Sequence, residues 1–144
     1  MTELRGPQGR QQILTTLETR LKQLQFETVV TAWSKLVLMD SPGILAPVVL
    51  IGQYRSNWMI GVGAPNTSTR QVSGRPGAPV APPSQPALPA MTLGQTVYIT
   101  NSLPYSGRIE AGHSRKAPAG VVGPVVRDLQ QEMGAIVQEI ARGA

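Results

Sequence analysis

The sequence predicts an α+β fold: a long N-terminal helix packed on a small antiparallel β-sheet, with a C-terminal helix and a long Pro-rich loop. Three observations predict it. Apolar residues recur at three- and four-residue spacing near both ends of the chain, the mark of amphipathic helices. Two short segments between them alternate in hydropathy, as half-buried strands do. Seven of the 13 Pro gather in one stretch between those strands, residues 64–92. At 144 residues and 41% hydrophobic composition, residues 1–144 make a single domain with a core.

The first helix is expected over residues 8–39. Ile13 or Leu14, then Leu17, Leu21, Leu24 and Thr28 mark its apolar stripe, with Glu18, Arg20, Lys22, Gln23 and Gln25 between them. Phe26, Val29, Val30, Trp33, Leu36 and Val37 continue the pattern with the stripe displaced. The β-branched run Thr28-Val29-Val30-Thr31 lowers helix propensity and predicts a kink or break there. Asp40-Ser41-Pro42-Gly43 stops the segment.

Residues 55–63 read as the first strand, with Trp58, Ile60 and Val62 on the face toward the helix. Residues 67–90 read as a flexible or extended loop. Six prolines between Pro76 and Pro89 remove ladder donors and leave little apolar surface to repay ordering. Either an arm that orders against a neighbouring subunit or plain disorder fits that composition. Residues 95–101 read as a second strand, central because both faces are partly apolar. A single helical turn at 105–112 ends on Gly112, and a basic loop follows from His113 to Gly120. Val122, Val126, Leu129, Met133, Ile136 and Ile140 then space a last helix over 121–141, with Pro124 in its first turn.

Composition narrows the function. There is no Cys and one His, so no thiolate nucleophile, disulfide scaffold or Cys- or His-based metal centre is expected, and no cofactor. No GxxxxGK[ST] or GxGxxG is present. His113 lies in a basic loop with Glu110 as its nearest acid, which favours a surface or interface histidine over a general base. Nothing suggests an enzyme. No apolar run of about 18 residues could span a bilayer, and the opening MTELRGPQGR lacks the apolar region of a signal peptide. The chain is expected to act in, or assemble within, a cytoplasm.

The net charge is +5, from 13 Lys and Arg against 8 Asp and Glu. Residues 61–120 hold Arg70, Arg75, Arg108, Arg115 and Lys116 against Glu110 alone. A basic middle can face a polyanion. No run of four basic residues exists, however, and six aromatics are few for a base-stacking surface. Glu110 among these cations reads as a structural ion-pair partner. Arg55 at the start of the first strand could pair with an acid in the fold or at an interface.

Three stretches carry a resemblance: residues 52–66 (GQYRSNWMIGVGAPN), 96–112 (TVYITNSLPYSGRIEAG) and 113–122 (HSRKAPAGVV). In order and content they resemble the tail-completion and neck proteins of long-tailed bacteriophages, of the minor-tail-component type. That family places an Arg-x-x-Trp strand after a Pro-Val-Asp-Thr-Gly stretch. Its Asn-x-x-Pro-Tyr-Ala strand end leads into an Ile-Glu-x-Gly turn, and an Ala-Pro-Ala-Gly loop opens the last helix. The resemblance covers roughly residues 10–66 and 93–141. It departs at Pro47-Val48-Val49-Leu50-Ile51-Gly52, where the family's acid and hydroxyl are missing.

The resemblance implies a structural virion protein: a homo-oligomeric ring, hexamer or dodecamer, at the head–tail junction around the channel that DNA crosses. It would be assembled in the host cytoplasm and reside in the virion tail or neck. Its partners would be other neck and tail-tube proteins, with non-specific proximity to double-stranded DNA and no membrane. A connector or stopper ring beside the portal is the nearest alternative, and a small nucleic-acid-binding module a more distant one. Arg55, Arg108, Glu110, His113, Arg115 and Lys116 are the interface or channel candidates.

Overall fold

A computed structural model describes residues 6–47, 53–71 and 91–143. In chain order it contains helix α1 (Gly6–Leu38), a 3-10 turn (Arg55–Asn57), strand β1 (Met59–Val62), strand β2 (Val97–Thr100), short helix α2 (Ser106–Glu110) and helix α3 (Val122–Gly143). This is the expected α+β arrangement. The predicted loop from residue 72 to residue 90 lies outside the described residues.

Helix α1 runs unbroken through the β-branched run. The Thr28 hydroxyl donates back to the Leu24 carbonyl at 2.7 Å, and Val29 is buried, so packing overrides the weak local propensity. The displaced stripe has a structural meaning. Leu14, Leu17, Leu21 and Leu24 share one face, whereas Val29, Trp33, Leu36 and Val37 lie about a third of a turn round the helix. Only the second set enters the core. The helix ends on Met39, a non-glycine residue at φ 53°, with the Asp40 N–H returning to the Lys35 carbonyl at 3.3 Å. That is the hydrogen bond of a Schellman stop. Met39 is buried in the core, and this burial offsets the cost of its left-handed backbone.

Strands β1 and β2 pair antiparallel, Met59 with Thr100 through Val62 with Val97. Two expectations change here. Residues 55–57 form the 3-10 turn instead of strand, because Asn57 turns inward. Asn57 is fully buried and donates to the carbonyls of Gln53 (2.6 Å) and Arg70 (3.1 Å), while its Oδ1 accepts the Arg70 N–H at 2.7 Å. Strand β2 is not central either: among the described residues the sheet has two strands, and Tyr98 is exposed. The apolar side chains Val97 and Ile99 pack on the core, and the opposite face meets solvent.

The Asn57 hydrogen bonds also tie down the start of the predicted loop. The Arg70 side chain adds a hydrogen bond from Nε to the Ser56 carbonyl, and Ser68 bonds Asn66. Asn57→Ala would strip the Gln53 carbonyl and the Arg70 backbone groups of their buried partner. It should cost about 2–3 kcal/mol. Denaturant melts measure that loss, and amide exchange at Arg70 should accelerate beyond the global change. Unaltered exchange at Arg70 would mean the latch does not hold this segment.

The core gathers Val29, Trp33, Leu36, Val37 and Met39 of α1 and its stop, Trp58 and Ile60 of β1, and Val121 and Val125 of α3. Trp33 Nε1 donates to the Trp58 carbonyl at 2.9 Å, which fixes the first strand to the helix. The two long helices do not simply sandwich the sheet. They also touch each other directly, through Lys35 and Asp128 (2.8 Å) and Lys35 and Glu132 (3.1 Å).

Candidate functional site

The residues singled out by sequence fall into one connected region and one outlier. Helix α2 begins after Tyr105, where the Ser106 hydroxyl bonds the carbonyls of Asn101 (3.0 Å) and Leu103 (2.7 Å). Ile109 faces the core, and the next residue, Glu110, points at the start of α3. Its carboxylate accepts three backbone N–H groups: Val121 (3.0 Å) and Val122 (2.8 Å) on Oε2, and Gly123 (3.0 Å) on Oε1. The first N–H groups of a helix have no partner within it. A negative charge there also meets the positive end of the helix dipole. Glu110 therefore caps α3 from a different helix.

The expected ion pair of Glu110 is thereby corrected. Its partners are backbone donors, and no salt bridge to Arg108, Arg115 or Lys116 forms. The reason is placement: α2 aims the carboxylate at the end of α3, and the cations lie on the exposed side.

Two glycines make the cap possible. Gly112 and Gly120 both have positive φ, +88° and +80°. A side chain at Gly120 would also meet the Glu110 carboxylate, about 2.5 Å from Oε1. Between them the chain makes a tight loop, in which the Gly120 N–H returns to the Ala117 carbonyl at 3.0 Å and Ala117 is fully buried. The segments Ile109-Glu110-Ala111-Gly112 and Ala117-Pro118-Ala119-Gly120 thus form one clasp. Each glycine and the acid has a stated steric or electrostatic duty.

Around this clasp the side chains of Arg108, His113, Arg115 and Lys116 are exposed. The Lys116 carbonyl accepts from the N–H groups of Leu45 (2.7 Å) and Ala46 (3.2 Å), so the loop backbone anchors the segment after α1 while its cations face solvent. The His113 side chain makes no hydrogen bond to a carboxylate among the described residues, which gives it no orienting partner for base chemistry. Arg55 is the outlier. It sits half-buried in the 3-10 turn, with Nε buried and without a hydrogen-bond partner among the described residues. Among the described residues no group of three His, Cys, Asp or Glu could hold a metal ion.

Sequence reasoning missed the pin between the long helices. Asp128 accepts from both Lys35 Nζ (2.8 Å) and the Ser41 hydroxyl (2.9 Å). These bonds, Lys35 foremost, hold the Asp128 carboxyl below its ordinary value of 3.8. The Asp128 hydrogen bond raises Lys35 above 10.5. A depressed carboxyl stabilises the fold above its unfolded value, and that contribution disappears as pH falls through the folded value. A raised lysine contributes below 10.5 and loses it as pH rises through its folded value. Across neutral pH both contributions are in force. Asp128→Asn should therefore flatten the loss of stability on acidification below about pH 4, a difference read from melting temperatures across pH. An acid limb identical to that of the parent protein would remove Asp128 from the account. The signal for this pin in the sequence is slight, since Lys35 and Asp128 are 93 residues apart.

Burial, with smaller contributions from Glu110 and Tyr105, pushes the Tyr54 phenol above its ordinary 10.0, and its ring meets Trp58 edge-on at 5.5 Å. The backbone carbonyl of Tyr54 accepts from Asn101 Nδ2 at 2.8 Å, linking the 3-10 turn to the end of β2.

No protein-family model matches this chain, and neither does any curated protein or solved structure. Among the described residues no helix is long and apolar enough to cross a membrane.

Proposed function

We propose that the chain is a structural subunit of a bacteriophage neck, forming a homo-oligomeric ring at the head–tail junction and joining tail to head around the DNA channel. The observation that carries this reading is the clasp. The stretch from Asn101 to Val122, which bears the most specific part of the resemblance, is one built joint whose Glu110, Gly112 and Gly120 are each required by geometry. A motif that serves to set the angle of a closing helix suits an assembly subunit better than a catalyst.

The basic loop supports the same reading. Arg108, Arg115 and Lys116 project from a hydrogen-bonded backbone, and among the described residues their charges are not consumed by the fold. Dispersed exposed cations attract a polyanion through a screened field without reading its bases. Such a surface suits passage of DNA or contact with an acidic neighbour.

A complementation assay tests this function. The double change Arg115→Ala with Lys116→Ala should leave the melting temperature and oligomer size unchanged and reduce the joining of heads to tails. Full joining by the double variant would remove the basic loop from the junction. Loss of folding would make those side chains part of the architecture.

A further inference from the structure

The outer edge of β2 is an open ladder. The Gly63 N–H donates to the Thr96 carbonyl at 2.8 Å. In an antiparallel pair, bonded and non-bonded residue pairs alternate. Gly61 with Tyr98 and Met59 with Thr100 are therefore the bonded pairs. Val97 and Ile99 turn their N–H and C=O groups the other way, off the edge of the sheet, and among the described residues nothing bonds them. Strand β1 is covered, with Met59, Ile60 and Gly61 buried, whereas no residue of β2 is buried. A groove of about 390 Å³, with Val97, Leu24 and Met133 in its lining, leaves space beside the start of this edge. Open edges in natural proteins are guarded by charges, prolines or bulges. This one has no such guard. Residues 96–100 contain no proline and pair without a bulge, and no Lys, Arg, Asp or Glu stands between Arg75 and Arg108.

We propose that β2 pairs antiparallel with β2 of a second copy, joining two hairpins into one four-stranded sheet. The occupant follows from how the edge matches itself. A register centred on Tyr98 sets Val97 against Ile99 of the second copy, so that all four outward groups on each strand are bonded. It also sets Tyr98 against Tyr98 and Thr96 against Thr100. Aromatic, β-branched and threonine pairs of this kind stabilise facing strands, and no like charges meet. The neighbouring registers are less suited. Centring on Val97 brings in the Gln95 carbonyl, which already accepts from Gln25 Nε2 at 3.1 Å. Centring on Ile99 brings in the Asn101 carbonyl, which already accepts from the Ser106 hydroxyl at 3.0 Å. The contact goes beyond the ring reading and does not rest on it, because a two-fold contact closes at two copies. Where rings form, it joins their subunits in pairs and makes the subunit number even.

Opposite charges at position 98 test it. Tyr98 is exposed on the face away from the core, so Tyr98→Lys and Tyr98→Glu should both fold, as read by circular dichroism. Each variant alone sets like charges against each other across the two-fold and should sediment at half the mass of the parent assembly. An equimolar mixture sets Lys against Glu and should regain the parent mass. In the parent assembly the Val97 and Ile99 amides should be protected from exchange. In either variant alone, or on dilution of the parent, they should exchange at least about tenfold faster, while the Thr100 amide, bonded to β1, stays protected. Variants that keep the parent mass, or a mixture that stays split, overturn the pairing. Val97 and Ile99 amides that stay protected in the split variants also overturn it, by showing that another segment of the same chain covers the edge. A parent chain that is monomeric at every concentration overturns this pairing and the ring together. Rings that survive both substitutions whole overturn this pairing alone.

Discussion

Trp58→Ala lowers the free energy of unfolding by about 3–5 kcal/mol, the cost of emptying a large aromatic site in a core. Trp58 is 3% exposed at the entrance to β1 and meets the Tyr54 ring edge-on. Its backbone carbonyl holds the Trp33 indole, and that bond survives the substitution, so the loss reports packing. The indole Nε1 of Trp58 is itself buried without a hydrogen-bond partner among the described residues. Trp58→Phe should therefore recover a good part of the loss, since it keeps ring volume and removes an unsatisfied donor. Chemical denaturation with both variants measures the two values. A Trp58→Ala protein as stable as its parent would take this residue out of the core.

Glu110→Ala should cost about 2–4 kcal/mol. Removing an ordinary cap costs about 0.5–2 kcal/mol. Here one carboxylate serves three N–H donors, including that of the fully buried Val121, and a stranded buried donor adds its desolvation penalty. Glu110→Gln should fall between the two proteins, because the amide keeps one accepting oxygen. The loss should appear in α3: amide exchange at Val121, Val122 and Gly123 should rise more than at Trp33. Exchange that rises evenly through the chain would contradict a local cap.

Much of this architecture is legible in the residues, for identifiable reasons. The helices announce themselves through three- and four-residue spacing, and β2 through its alternation. The glycine stop at Gly112 follows from chain chemistry alone. What escapes the sequence is whatever depends on a partner distant along the chain. Asn57 looks like a strand residue until Gln53 and Arg70 supply its hydrogen bonds. Glu110 looks like an ion-pair partner because the nearby cations are visible in sequence, whereas the bare N–H groups of α3 are not. The Lys35–Asp128 pin has no local signature at all. Met39 reverses the usual rule, placing a side chain where glycine is favoured, and only its burial explains it.

The displaced stripe of α1 illustrates the same limit. Its positions are plain in the sequence, but the sequence does not say that only Val29, Trp33, Leu36 and Val37 would find partners within the chain. Leu14 and Leu17, equally apolar, stay exposed.

Negative-stain images of the purified chain, together with its mass in solution, test the central claim most directly. Closed rings of one fixed subunit number with an axial opening are expected, formed without nucleic acid and insensitive to nuclease. A monomer at all concentrations that instead binds DNA tightly and loses it as salt rises would contradict the account and make the chain a nucleic-acid-binding module.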